Sequence, residues 1–288
     1  ERAYQKARAY ASERVQGRDI AGGQSAVRII EHPDVRRMLM SMKCQIEAMR
    51  ALAYFVAGAL DRASRHPDPE VRASNGARVG LLTPVVKGWC TETAIEVAST
   101  GIQVHGGVGY IEETGAAQFL RDVRITAIYE GTTGIQANDL MGRKIVQDQG
   151  VAVRALMDEI RALGTHLAGT NSEDLVAIGR SLLAGVAALD EAVDHVLDRF
   201  AGNPRSVAVG AVPLLKLAGL VTGGWLMASA AEIAVDYLEA GKGDQGAMVA
   251  KLTAARFFAD HFLALAPGIA HSVREGAGRV MELKEHQW

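Results

Sequence analysis

Residues 33–53 read PDVRRMLMSMKCQIEAMRALA, and the spacing of their apolar side chains decides the fold class. Val35, Met38, Met42, Ile46, Met49 and Ala53 recur at steps of three and four, so they share one face of a helix and form one buried stripe. The methionines on that stripe read as core filling. Pro33 stands at the first turn, where its missing N–H costs nothing. The same periodicity predicts helices over 1–14, 70–99, 115–127 and 132–147. Further helices are expected over 151–166, 172–200, 204–240 and 244–265, with a short piece near the end. Gln16-Gly17 and Gly22-Gly23 mark a polar loop running to His32, and His66-Pro67-Asp68-Pro69 marks a break. Pro84 is expected to kink the third helix or end its first half. Asn171-Ser172-Glu173 and Gly202-Asn203-Pro204 are helix starts. Runs of alternating β-branched residues are missing and aromatics are only 5%, which disfavours a sheet. The expected class is all-α: an antiparallel helical bundle over 1–148, then a second helical domain over 149–288.

Composition narrows the function classes. The 288 residues are 49% hydrophobic and 22% charged, with a net charge of −2, the profile of a soluble globular protein. Positive charges are dispersed, and no basic run is interleaved with aromatics, so nucleic acid is not an expected partner. Cys44 and Cys90 lie in apolar helical pattern without metal-ligand spacing, which predicts buried free thiols in a reducing, cytoplasmic setting. Asp190, Glu191, Asp194 and His195 share a helix face at metal-like spacing, but their flanks read as a charged surface; no metal is expected. Val207 to Val235 is long and apolar enough to span a bilayer. Pro213, Lys216 and Gly223-Gly224 interrupt it, so a helix buried inside a bundle is expected instead of a transmembrane segment.

Two stretches carry chemistry. Residues 128–136 read Ile-Tyr-Glu-Gly-Thr-Thr-Gly-Ile-Gln, placing Glu130 in a turn between helices. Gly131 lets backbone approach a ligand closely, and hydroxyl residues follow that are able to start the next helix. On spacing alone Glu130 is a candidate general base; a carboxylate favouring the helix macrodipole is the competing reading. Residues 103–110 read Gln-Val-His-Gly-Gly-Val-Gly-Tyr, a glycine-rich turn that a helix C-cap also explains. Leu120-Arg121-Asp122 lies between the two.

In this order and spacing the three motifs resemble the C-terminal helical domain of the acyl-CoA dehydrogenases. A looser match runs back to Glu1 through Tyr-Ala-Ser-Glu-Arg at 10–14 and Ile-Glu-His-Pro at 30–33. The residues after 150 look like the extra helical domain of larger members, of the broad-range bacterial fatty acyl-CoA or 3-methylmercaptopropionyl-CoA type. The resemblance implies that the chain is part of a longer polypeptide, inert alone, whose N-terminal helical and β-domains lie elsewhere. It implies an FAD-dependent oxidoreductase of fatty acid β-oxidation that converts an acyl-CoA to its trans-2-enoyl form. Glu130 would take the α-proton and its backbone amide would polarise the thioester carbonyl, with hydride passing to flavin N5. An apolar pocket would then raise the pKa of Glu130 by desolvation. Tyr129 and Gly131 would line the acyl site, and Thr132, Thr133 and Gly134 occupy flavin-contacting positions. At Gly134 many members carry glutamine, and at Pro33 often so, which leaves those contacts in doubt. Gln103, Val104, His105, Gly106 and Gly107 would meet the adenosine and pyrophosphate of a partner subunit's FAD, with Arg14 on its phosphates. Arg121 and Asp122 are expected to form a structural ion pair. A homo-oligomer, a dimer or dimer of dimers, and electron-transfer flavoprotein as acceptor complete the implied picture. An acyl-CoA oxidase, or a non-catalytic assembly module completing a flavin site on another chain, are the alternatives.

Overall fold

The stripe expected over residues 33–53 belongs to α2 (Pro33–Arg65): Met42 and Ile46 are buried and Val35, Met38 and Met49 half-buried, but Ala53 is exposed and the neighbouring Leu52 is buried in its place, in a computed structural model that describes residues 1–278 and 280–288. Before it come α1 (Arg2–Glu13) and a two-stranded antiparallel hairpin, β1 (Val15–Arg18) with β2 (Ala26–Arg28). That hairpin lies where a polar loop was expected. Its strands are of four and three residues and exposed, too short to leave an alternating pattern. Next are α3 (Pro69–His105), α4 (Gly107–Tyr110), α5 (Ala116–Arg124) and α6 (Thr133–Asn138), the last running on as a π-helical stretch, Asp139–Val146. The remaining helices are α7 (Val151–Ala168), α8 (Glu173–Arg199), α9 (Pro204–Val209), α10 (Ala211–Glu239), α11 (Gln245–His261) and α12 (Ala266–Glu275).

The chain divides into two compact units, residues 1–47 with 91–130, and 48–90 with 131–288. In the first, α1 buries Ala7 and Ala11 and packs on α5. Small residues let the backbones close in: a Cβ on Gly101 would meet Met42 Cε at 3.4 Å and Ala3 O at 3.5 Å. His32 Nε2–H donates to Gln16 O (2.7 Å), tying the start of α2 to β1.

In the second unit, α2 and α3 form an antiparallel pair across the His66–Asp68 break, where Arg62 Nε donates to Asn75 Oδ1 (3.1 Å). Of the two outcomes expected of Pro84, ending the helix does not occur, and α3 runs on through it. The hydrogen bond it forfeits is one in a helix of 37 residues, and Leu81, Leu82, Val85 and Trp89 are buried on both sides of it. The expected helix over 204–240 is broken at Gly210 (φ −79°, ψ −3°), where α12 passes so close that a Cβ would lie 2.8 Å from Val273 O. Ser172, Asn203 and Asp244 cap their helices, each accepting from the backbone N–H three residues on.

The apolar segment at 207–235 resolves into α9 and α10. By length and composition α10 is able to cross a membrane, and 78% of its most apolar 18-residue window is buried. It packs against α8, α11 and α12 and against Trp89. Gly219 and Gly223 on one face make this possible, since Cβ atoms there would sit 2.1 and 2.8 Å from the Trp89 ring. Gly224 makes the same room for Leu263, at 2.7 Å. The carboxylates at 190–194 are interhelical partners: Asp190 accepts from Arg154 and Arg161, Asp194 from Arg154, and Glu191 lies 3.2 Å from Arg274.

Candidate functional site

In the first unit the C-terminus of α1, the hairpin and the end of α3 enclose a cleft of about 360 Å³. Four of the expected residues of the glycine-rich turn, Gln103, Val104, His105 and Gly106, line it together with Arg14. Gly107 does not; it opens α4 one residue further on. The turn forms because α3 stops at His105 and Gly106 reverses the chain at φ +64°, with Gly109 N–H closing on Gly106 O (2.9 Å). Gly109 is fixed by packing, since a Cβ there would lie 2.5 Å from Ile102 O. Above Gly106 and Gly107 a Cβ would meet nothing within 4 Å, so that side of the turn is open to an incoming group.

His105 is buried, and its Nδ1–H donates to Gly101 O (2.7 Å) while its ring stacks on Tyr10 (centroids 4.6 Å apart). It therefore anchors the turn through a polar contact. Arg14 caps α1, its backbone N–H bonding Tyr10 O (2.9 Å), while its guanidinium is exposed and has no carboxylate partner among the described residues. Tyr10, Gly17 and His32 also line the cleft. Sequence reasoning gave them no role, although Tyr10 and His32 sit inside the two short motifs at 10–14 and 30–33.

The second feature is the turn at 129–132. Glu130 has φ +53° and Gly131 φ +87°, two left-handed residues in succession. For glutamate this conformation costs about 1–3 kcal/mol, and such strain concentrates where a side chain must be aimed. It leaves no trace in the sequence beyond the glycine that follows. Tyr129 and Glu130 are exposed, so the apolar enclosure expected around the carboxylate is not supplied by their own unit. In the second unit Lys87 Nζ donates to Gly131 O (2.6 Å), and Thr132 Oγ1 accepts from Ile135 N to start α6 (3.4 Å). Thr133 and Gly134 form the first turn of α6, and a Cβ on Gly134 would meet only Thr132 Oγ1, at 3.9 Å.

Arg121 and Asp122 do not pair with each other, correcting the expectation. Adjacent residues on a helix point in different directions. Instead Gln118 joins them, accepting from Arg121 (2.6 Å) and donating to Asp122 (2.5 Å), and Arg121 also lies 3.4 Å from Glu112. Cys44 and Cys90 are free thiols; burial pushes Cys90 up to about 12 and Cys44 higher still. No group of three or more His, Cys, Asp or Glu side chains among the described residues is placed to hold a metal ion.

Comparison with known proteins gives this geometry its context. Residues 1–145 match the family model for the acyl-CoA dehydrogenase C-terminal domain, and residues 154–284 match the acetyl-CoA dehydrogenase C-terminal-like model. The chain belongs to the acyl-CoA dehydrogenase family. It is 45% identical over 264 residues to the 3-methylmercaptopropionyl-CoA dehydrogenase of Ruegeria pomeroyi, covering 91% of this chain and 44% of that one. To the broad-specificity linear acyl-CoA dehydrogenase FadE5 of Mycobacterium tuberculosis it is 34% identical over 293 residues, covering 98% and 48%. The chain thus spans about half the length of these curated relatives. Among solved structures, an acyl-CoA dehydrogenase from Bacillus anthracis complexed with FAD shares the fold, with a TM-score of 0.71, 19% identity, and coverage of 94% of this chain and 45% of that one. Caenorhabditis elegans ACDH-11, in complex with C11-CoA, does so at a TM-score of 0.64 and 20% identity, over 91% and 40%.

Proposed function

We propose that the chain forms the C-terminal part of an FAD-dependent acyl-CoA dehydrogenase and carries its catalytic base, Glu130. The observation that carries this is the strained turn: a glutamate held at φ +53° before a left-handed glycine, within the residues that match the acyl-CoA dehydrogenase C-terminal domain. In this reading the Glu130 carboxylate removes the α-proton of an acyl thioester, and its backbone N–H donates to the thioester oxygen as negative charge builds there. The β-hydrogen leaves with its electron pair as the α,β double bond forms, giving the trans-2-enoyl thioester. Bound FAD supplies the acceptor for that pair. In this reading Tyr129 and Gly131 border the acyl group.

The residues of the first unit fit the adenosine-pyrophosphate end of FAD. Arg14 offers an uncommitted guanidinium suited to phosphate oxygens, Gln103 offers donors and an acceptor, and the open side above Gly106 and Gly107 admits a close backbone approach. Val104 and His105 form the cleft floor. Thr132, Thr133 and Gly134 are assigned to flavin-contacting positions, whereas the residues of the first unit are assigned to the FAD of a partner subunit. The division at 148/149, a homo-oligomer, electron-transfer flavoprotein as acceptor and a cytoplasmic setting belong to the same reading. The junction of the two family models between residues 145 and 154 and the two free thiols support it.

The test is Glu130→Gln in the holoenzyme. Turnover is expected to fall by roughly 10²–10⁴-fold, the range for losing a general base, while the flavin spectrum is retained. Turnover near the wild-type rate would refute the assignment.

A further inference from the structure

We propose that Lys87 is a positioning residue for proton transfer: its ammonium holds the Gly131 carbonyl and thereby fixes the left-handed turn from which Glu130 projects. The proposal rests on Glu130 being the base. Lys87 is half-buried on α3, and its Nζ reaches Gly131 O at 2.6 Å, a bond spanning 44 residues of sequence. Gly131 is the backbone position most able to change conformation, since glycine populates both signs of φ. Rotation about Gly131 would change the angle at which the chain bearing the preceding residue joins α6. A charge-assisted bond to its carbonyl selects one orientation.

The platform behind the lysine is rigid. Gly88, the next residue on α3, has no space to spare: a Cβ there would lie 2.4 Å from Leu215 and 3.4 Å from Gln136 of α6. The turn is confined on its other side, where a Cβ on Gly131 would meet Gln136 Nε2 at 3.1 Å and Ile135 Cγ2 at 3.3 Å. Helix α3 is thus held in register with α6, and Lys87 extends that register to the carbonyl of the residue that follows the base. Lysine suits the task because a flexible stem delivers a compact charge to a single acceptor.

The test compares Lys87→Met and Lys87→Arg in the holoenzyme. Lys87→Met is expected to lower kcat by roughly 10–100-fold, the scale of a misplaced reacting group. KM for acyl-CoA and flavin absorbance should stay near wild type, and solvent deuterium exchange at the α-carbon should slow by the same factor. Lys87→Arg, which keeps a cationic donor, should recover most of the loss. Should Lys87→Met fail to fold, Lys87→Gln, a neutral donor, takes its place with a smaller expected loss. Wild-type kcat in the substituted enzyme, or a loss that follows only thermal stability or flavin occupancy, overturns the proposal. Glu130→Gln measured alongside separates the two ideas. Turnover surviving in Glu130→Gln removes the base itself, whereas an inactive Glu130→Gln beside a fully active Lys87→Met removes only the role of the lysine.

Discussion

Glycine serves opposite purposes in two regions of this molecule. In α10, Gly219, Gly223 and Gly224 lie under Trp89 and Leu263, where added Cβ atoms would fall 2.1–2.8 Å from side-chain carbons. At the turn after α3, Gly106 and Gly107 face space in which a Cβ would meet nothing within 4 Å. The first set is explained by the protein's own packing. The second is only partly so: Gly106 needs its positive φ, and nothing among the described residues requires Gly107 to lack a side chain. A glycine that its own fold does not require points outward, to whatever approaches that backbone.

The largest effect should come from Gly219→Ala. The Trp89 atoms in the way belong to a rigid ring near its attachment to the backbone, so relief requires α3 and α10 to part, at about 2–3 kcal/mol for an overpacked core. Thermal unfolding should show the loss, with the FAD affinity of the holoenzyme unaffected; an unchanged midpoint would break the comparison. Arg14→Ala probes the other region. It should weaken FAD binding to the holoenzyme by roughly tenfold, the scale of one hydrogen bond to a charged group, with little change in folding stability. Gly107→Ala, in a helical position without positive φ, should leave stability equal or slightly higher, by under about 1 kcal/mol. Its FAD affinity, read by flavin fluorescence, should nonetheless fall a few-fold.

A smaller effect concerns pH. Because burial raises Cys90 to about 12, the folded thiol stays protonated while its unfolded counterpart releases its proton near the ordinary value of 9.0. The unfolded state then binds fewer protons, so stability is intact below pH 9 and declines as pH rises toward 12. Cys44 adds to the same trend. Urea midpoints at about pH 7, 9 and 11 should fall in that order, and Cys90→Ala should flatten the decline.

Helix existence was legible in the sequence because three- and four-residue periodicity reports burial on one face. Pro33 and Asn203 marked helix starts correctly because their effects are local. The break at Gly210 was missed because it sits where α12 passes close to the backbone, a contact that local pattern does not report. The hairpin at 15–28 was too short to show a period. At the candidate site, the motifs pointed to Arg14, the turn at 103–107 and Glu130, and the structure brings Arg14 and residues 103–106 together in one cleft. The left-handed backbone of Glu130, the Lys87 bond to Gly131 and the stacking of Tyr10 on His105 join residues or angles that no spacing encodes.

The most direct test of Glu130 as proton acceptor isolates that step from electron transfer. Acyl-CoA is incubated anaerobically with the reduced holoenzyme in D₂O, and deuterium entering the α-carbon is followed by mass spectrometry. Glu130 as the base predicts rapid incorporation with the native enzyme and incorporation at the uncatalysed rate with Glu130→Gln. Native-rate incorporation in the Glu130→Gln enzyme would contradict it.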